Sequence, residues 1–230
     1  MEFKLEQQET IKYNYLVESQ GYGSDTERST AIDRLTKSLG DVSEMYLEIL
    51  NNFSNKDDLV CEVQPNKVLD IGSGPGGVMS WVGTFENVDV FGIDISDVFV
   101  SLLKKNFPDF SDKVFVCNAM DLSIFDDNSF ELVQHTDGME HIPVEWEIDC
   151  LKEAVRVSKK YVLYETAISN AFVDTYLRND KYKYKGAHIN IKTCTEWYDF
   201  YEKHADVFGY SILKFNMNKE NFSIILEKNK

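Results

Sequence analysis

Short apolar runs separated by helical patterns fill the middle of the chain. Val68 to Ile71, Val88 to Ile93, Val114 to Cys117, Phe130 to Gln134 and Tyr161 to Glu165 are continuous, short and bounded by polar or turn residues. That pattern predicts strands buried on both faces. Between them, Val78 to Phe85, Val98 to Asn106 and Val144 to Val157 read as helices, and Pro108 stops the second. The polar loop Asp126-Asp127-Asn128-Ser129 leads into the fourth strand. Alternating units of this kind predict an α/β fold, a Rossmann-like, doubly wound and mostly parallel sheet covered by helices. Right-handed crossovers bring the strands' C-terminal ends to one edge, where ligands bind as the strand order reverses.

Either end of the chain departs from this alternation. Ile11, Tyr13, Tyr15, Leu16 and Val17 precede Gly21-Tyr22-Gly23, and Ser24-Asp25-Thr26-Glu27 fits a capping box. Ile32, Leu35, Leu39, Val42, Met45, Tyr46, Ile49 and Leu50 then recur at helical spacing, with a break expected near Gly40-Asp41. Residues 1–60 are therefore expected to form an N-terminal helical cover, and 61–167 the cofactor-binding core. In 168–230, Asn170 to Lys185 reads as a long polar lid with Tyr176, Tyr182 and Tyr184. Thr195 to Ala205 reads as a helix, and Gly209 to Phe215 with Phe222 to Leu226 as a closing antiparallel hairpin. Neither an internal repeat nor a domain linker interrupts residues 1–230, so a single domain is expected.

Composition narrows the function. The 230 residues carry a formal net charge of −15, which argues against a sequence-independent grip on nucleic acid. The small basic run Lys181, Lys183, Lys185 reads as a solvated loop. Cys61, Cys117, Cys150 and Cys194 are far apart, form no Cys-x-x-Cys pair and suggest no metal site; Cys117 and Cys150 read as buried thiols. No secretory segment or membrane span is evident, so a reduced, cytoplasmic setting is expected, with neither membrane nor nucleic acid as partner.

The chemistry concentrates after the first strand, in Val68-Leu69-Asp70-Ile71-Gly72-Ser73-Gly74-Pro75-Gly76-Gly77. Glycines in such a turn let a ligand approach the backbone. Gly72-x-Gly74-x-x-Gly77 matches the dinucleotide fingerprint, and Asp94 lies twenty residues after Gly74 at the end of the next strand. A carboxylate there can accept both hydroxyls of a ribose, which leaves NAD, FAD and S-adenosylmethionine open. Asp70, just before the first glycine, would repel a pyrophosphate and attract an ammonium or sulfonium.

Val68 to Gly77, Phe91-Gly92-Ile93-Asp94-Ile95-Ser96 and Asn118 to Pro143 together resemble the class I S-adenosylmethionine-dependent methyltransferases, over about residues 60–167. The resemblance implies that Gly72, Gly74 and Gly76 approach the methionine and ribose portion. It implies that Asp70 helps hold the amino end, that Asp94 accepts the ribose hydroxyls, and that Asn118 with Ala119 meets the adenine. Asp121 competes with Asn118 for that last place.

Methyl transfer from a sulfonium is an in-line displacement that needs the acceptor atom about 3–3.5 Å from the methyl carbon. A hydroxyl acceptor needs a base and an amine must be neutral. Gln134, His135, Thr136, Asp137 and Gly138, after the fourth strand, are expected to face the methyl. Among them His135 and Asp137 titrate, and His141 falls on Asp137's face if the turn is helical. The spacing Asp137-x-x-x-His141 is similar to that of phosphoethanolamine-type methyltransferases. His135, Asp137 and His141 are therefore the candidate catalytic residues, with a packed helix-start histidine the competing reading for His141. Glu165, at the fifth strand's end, and His188 are lesser substrate-side candidates. Transfer to O or N of a small molecule (an amine, hydroxyl or sugar) is the leading expectation. A non-catalytic S-adenosylmethionine- or nucleoside-binding module and a nicotinamide-dependent oxidoreductase are the alternatives.

Overall fold

A computed structural model describes residues 66–83, 85, 87–168, 189–217 and 221–230. The N-terminal cover over 1–60, the stretch Asn170 to Lys185 and His188 lie outside the described residues. The strands are β1 (Lys67–Ile71), β2 (Asp89–Asp94), β3 (Val114–Val116), β4 (Phe130–Thr136), β5 (Ser158–Ala167), β6 (Tyr210–Met217) and β7 (Asn221–Lys228). The helices are α1 (Gly77–Val82), α2 (Asp97–Asn106), α3 (Glu147–Val157) and α4 (Cys194–Phe208). One seven-stranded sheet has the order β3-β2-β1-β4-β5-β7-β6. β1 to β5 run parallel, and β7 is antiparallel to both its neighbours. The order reverses at β1, which opens a crevice beyond the C-terminal ends of β1, β2 and β4.

Strand alternation splits the core into two layers. On one face Val68, Val90, Leu132 and Leu163 pack with Met79 and Val82 of α1 and Val100 and Leu103 of α2. On the other, Leu69, Ile71, Val133 and Tyr164 pack with Leu151 and Ala154 of α3 and Trp197 and Tyr201 of α4. Each fully buried aliphatic side chain contributes about 1.5–3 kcal/mol by leaving water.

Among the described residues the expected strands and helices are present, with shifted ends. α1 stops at Val82 because Gly83 takes the cap, its N–H donating to the Met79 carbonyl at 2.9 Å. α3 begins at Glu147 rather than Val144, because Val144–Trp146 form a single 3-10 turn behind extended Pro143. β4 runs on through His135 and Thr136, so these two belong to the strand and not to the loop after it. α4 starts behind a capping box, Thr193 and Glu196 each bonding the other's backbone. The closing hairpin is anchored by Lys228, whose Nζ donates to the carbonyls of Val155 at 2.8 Å and Ser158 at 2.9 Å, at the end of α3.

Candidate active site

The crevice beyond β1, β2 and β4 is a cleft. Gly72 and Ile71 come from β1 and its turn, Asp94 and Ile95 from β2, and Cys117 to Ala119 from the end of β3. His135, Asp137, Gly138 and His141 to Pro143 complete the wall, with Trp146 beside them. The topology therefore gathers Gly72, Asp94, Asn118, Ala119, His135, Asp137 and His141 around one space.

Asp94 organises the cleft's base. It is 4 % exposed. Its Oδ2 accepts from the Gly74 N–H at 2.9 Å and its Oδ1 from the Ser96 N–H at 2.8 Å. The carboxylate thus ties the glycine loop to the start of α2, where Ser96 caps the helix through the Phe99 N–H. Burial pushes its pKa up to about 6; the two N–H donors and the nearby His141 work against that rise. At pH 7 it is mainly an anion, each of whose oxygens keeps a lone pair for a further donor.

The glycines divide their roles. Gly72, at φ 69°, opens onto the cleft. Gly74, at φ 51°, is bound by Asp94. Gly76, at φ 97°, is buried, and a Cβ there would lie 2.8 Å from Leu103 Cγ, so its small size serves helix packing against α2 and not the cleft.

Asp70 and Gln134 lie beneath the loop, away from the cleft lining. They are register partners on β1 and β4, 1 % and 0 % exposed. The Gln134 amide donates from Nε2 to Asp70 Oδ1 at 3.2 Å. Gln134 thus faces the α1 and α2 side of the sheet rather than the methyl, a correction to the sequence expectation that strand alternation explains.

His135 faces the cleft and is 3 % exposed. Burial pulls its pKa down to about 4, against the carboxylate of Glu140, so the ring is neutral at pH 7. Asp137 stands at the exposed rim in the left-handed region, φ 49°, with its N–H held by the Glu165 carbonyl at 3.0 Å. The protein packed around its carboxyl, and Glu140 beyond it, raise its pKa, while nearby His141 lowers it. His141 ends the 3-10 turn Met139–His141. Both groups line the cleft, as expected, although the turn is not α-helical.

The other expected residues divide between the cleft and its surroundings. Asn118 lines the cleft, and its Oδ1 already accepts from the Met120 N–H at 3.0 Å. Asp121 is exposed and holds the Ser123 N–H instead. Glu165 is buried and receives the Asn221 amide at 2.9 Å, a tie to the closing hairpin. Cys117 is half-buried at the cleft wall, not fully buried; Cys150 is buried. Sequence reasoning missed Trp146, Ile142 and Pro143 as cleft lining, although Ile142-Pro143 directly follows the predicted motif. Among the described residues there is no cluster of side chains that could hold a metal ion, and no helix is long and apolar enough to cross a membrane.

Residues 68–161 match the family model described as a methyltransferase domain. Over that stretch the chain matches a methyltransferase, in line with its resemblance to the class I, S-adenosylmethionine-dependent enzymes. No curated protein matches the sequence. Solved structures share the methyltransferase's fold. An S-adenosylmethionine-dependent methyltransferase of Methanosarcina mazei is 20% identical, with a TM-score of 0.58 over 79% of this chain and 97% of that one. The methyltransferase domain of a bacterial Hen1 is 15% identical, with a TM-score of 0.61 over 87% and 99%. The [4+2]-cyclase SpnF is 14% identical, with a TM-score of 0.55 over 79% and 80%.

The methyltransferase's cofactor is S-adenosylmethionine. The residues present fit it. A buried carboxylate with lone pairs to spare stands at the end of β2, a glycine without a Cβ stands at the end of β1, and neither a lysine nor an arginine lines the cleft among the described residues. A sulfonium meets two carboxylates there, Asp94 and Asp137, whereas a pyrophosphate would meet the same carboxylates with neither lysine nor arginine to offset them.

Proposed function

We propose that this methyltransferase transfers a methyl group to O or N of a small-molecule acceptor. The observation that carries this reading is Asp137 and His141 at the rim of the same cleft whose base holds Asp94. S-adenosylmethionine supplies an activated methyl on a sulfonium. Asp94 would accept the ribose hydroxyls, Gly72 and Gly74 make room for the methionine tail, and Asn118 with Ala119 bound the adenine. Asp137 and His141 would take the proton that the acceptor gives up, since both line the cleft and a carboxylate or an imidazole can act as the base. His135 would serve differently. With its pKa near 4 it is a poor base at pH 7, and a neutral ring beside a sulfonium adds no repulsion.

The test has two stages. Calorimetry with S-adenosylmethionine and S-adenosylhomocysteine is expected to show binding of both, and a panel of amines, hydroxyl compounds and sugars to show release of S-adenosylhomocysteine with at least one. Binding of NAD in place of either ligand would overturn the reading. A module that binds the cofactor without transfer is the second reading. It is favoured by the fold shared with the [4+2]-cyclase SpnF; cofactor binding with no turnover across the panel would select it.

A further inference from the structure

Two buried acceptors beneath the glycine loop lack a proton between them. Asp70 Oδ1 takes a hydrogen bond from Gln134 Nε2 at 3.2 Å. Asp70 Oδ2 and Gln134 Oε1, the other half of the two groups, are both buried without any hydrogen-bond partner. An ionised carboxylate offers only acceptors, and so does the amide oxygen. A carboxylic acid, by contrast, can give its O–H to the amide oxygen while taking the amide N–H, which closes a two-bond ring and satisfies all four atoms. A buried polar atom left unsatisfied keeps its full desolvation penalty, and the closed ring removes that penalty from both oxygens.

We infer that Asp70 and Gln134 form an acid–amide pair that holds one proton at neutral pH in the cofactor-free protein. Asp70 is then a positioning residue that seats the glycine loop, rather than the anion that meets the cofactor's ammonium end. Its place supports this, because Asp70 is 1 % exposed and does not line the cleft.

The surroundings agree. On this face β1 and β4 lie under Met79 and Val82 of α1 and Val100 and Leu103 of α2. No residue of α1 titrates, and the β5 neighbour of Gln134 is Leu163. Beside Asp70 on β2 is Gly92, with the Ser73 hydroxyl above it, itself buried without a partner. The charge acting on Asp70 is that of the Asp94 carboxylate. Burial first, and that like charge, push Asp70 up to about 7, against the pull of the Gln134 bond.

The experiment has two arms. In cofactor-free protein, side-chain carboxyl resonances of labelled aspartate are followed from pH 5 to 9. The Asp70 signal, assigned by its loss in Asp70→Asn or by sequential assignment if that variant does not fold, is expected in its protonated position at pH 6. An ionised Asp70 at pH 6 would overturn the proposal. The second arm rests on the reading of the chain as an S-adenosylmethionine-binding protein. Asparagine can replace the neutral acid in the ring, donating Nδ2–H to Oε1. S-adenosylhomocysteine affinity at pH 6.5 is therefore expected to stay within about threefold in Asp70→Asn, whereas a lost carboxylate–ammonium contact would weaken it by roughly tenfold or more and overturn the proposal. Absence of any binding by the wild type would instead refute the cofactor reading, with the carboxyl titration still deciding the proton.

Discussion

The imidazole of His135 rests directly on Gly138. A Cβ at Gly138 would lie 1.9 Å from His135 Nε2 and 2.1 Å from Cδ2, so the ring holds its place only because position 138 has no side chain. On its other side Gly72 approaches within ordinary contact, a Cβ there falling 3.5 Å from Nε2. Gly138→Ala must push the ring towards the cleft or bend the turn that carries Asp137 and His141. Overpacking of this kind costs about 1–3 kcal/mol. Chemical denaturation is expected to show that loss for Gly138→Ala. The loss should shrink to within about 0.5 kcal/mol when His135→Ala is added, because the clashing partner is gone. Equal losses in both backgrounds would show that the strain lies in the backbone and not against the ring.

Much of this site was legible in the sequence because strand ends dictate it. The alternation of short apolar runs and helices, with Gly72 after β1 and Asp94 after β2, placed the cleft before any contact was known. The hairpin Tyr210–Met217 with Asn221–Lys228 followed from its own apolar pattern and turn. What failed was the extent of β4. His135 and Thr136 are polar, so the apolar run ended early on paper, yet the register with β5 carries pairing on to Thr136↔Glu165. Alternation along the full strand turns Gln134 towards Asp70 and leaves His135 facing the cleft. The partnership of Gln134 and Asp70 spans 64 positions and had no local signal. The Thr193 to Glu196 capping box did have one, since Thr-x-x-Glu stands openly at the start of α4.

Asp94 does two jobs, and a single substitution separates them. Asp94→Asn keeps one amide oxygen for the Gly74 N–H but loses the charge and the second acceptor. Affinity for S-adenosylhomocysteine is expected to fall by roughly 10- to 100-fold, the scale of one or two charge-assisted hydrogen bonds. Thermal stability should change little, because the variant no longer buries a charge. In the wild type, affinity should also decline as pH drops through about 6, where Asp94 takes up its proton. Titration calorimetry at pH 5 and pH 8 checks both points; equal affinity in the variant and the wild type would remove Asp94 from the ribose position.

Acid acts on His135 with the opposite sign to its effect on Asp70. The His135 pKa falls from 6.5 unfolded to about 4 in the fold because burial disfavours the cation. Its contribution to stability is complete above pH 6.5 and is lost as pH falls through about 4, a swing of order 3 kcal/mol. Asp70, raised to about 7, gives stability that is complete below its unfolded pKa and disappears as pH rises through 7. In a comparison of unfolding free energies between pH 7 and pH 4, His135→Phe is therefore expected to lose less stability on acidification than the wild type. Parallel profiles for the two proteins would mean that the ring is solvated and charged in the fold.

Glu140 is the junction between the cleft wall and the chain on either side of residues 169–188. It is 1 % exposed. Oε2 accepts from the Thr166 hydroxyl at 2.8 Å and Oε1 from the Ala167 N–H at 3.4 Å, at the end of β5. Its carbonyl takes the N–H groups of Ile189 at 2.9 Å and Asn190 at 3.0 Å, just before α4. Asn190 in turn donates to Glu147 at 2.9 Å, at the start of α3, where Lys192 also binds. The turn bearing His141 is thereby fixed to both flanks of that segment through one side chain and one carbonyl. Glu140→Ala leaves the Thr166 hydroxyl and the Ala167 N–H buried without a partner, a cost of about 2–4 kcal/mol. Glu140→Gln keeps one acceptor and should lose less. Hydrogen exchange is expected to quicken at Ala167 in Glu140→Ala, while S-adenosylhomocysteine affinity stays near that of the wild type because Asp94 and its loop lie across the cleft. A loss below about 0.5 kcal/mol with unchanged exchange would show that water replaces the carboxylate and that the junction is held by its backbone bonds alone.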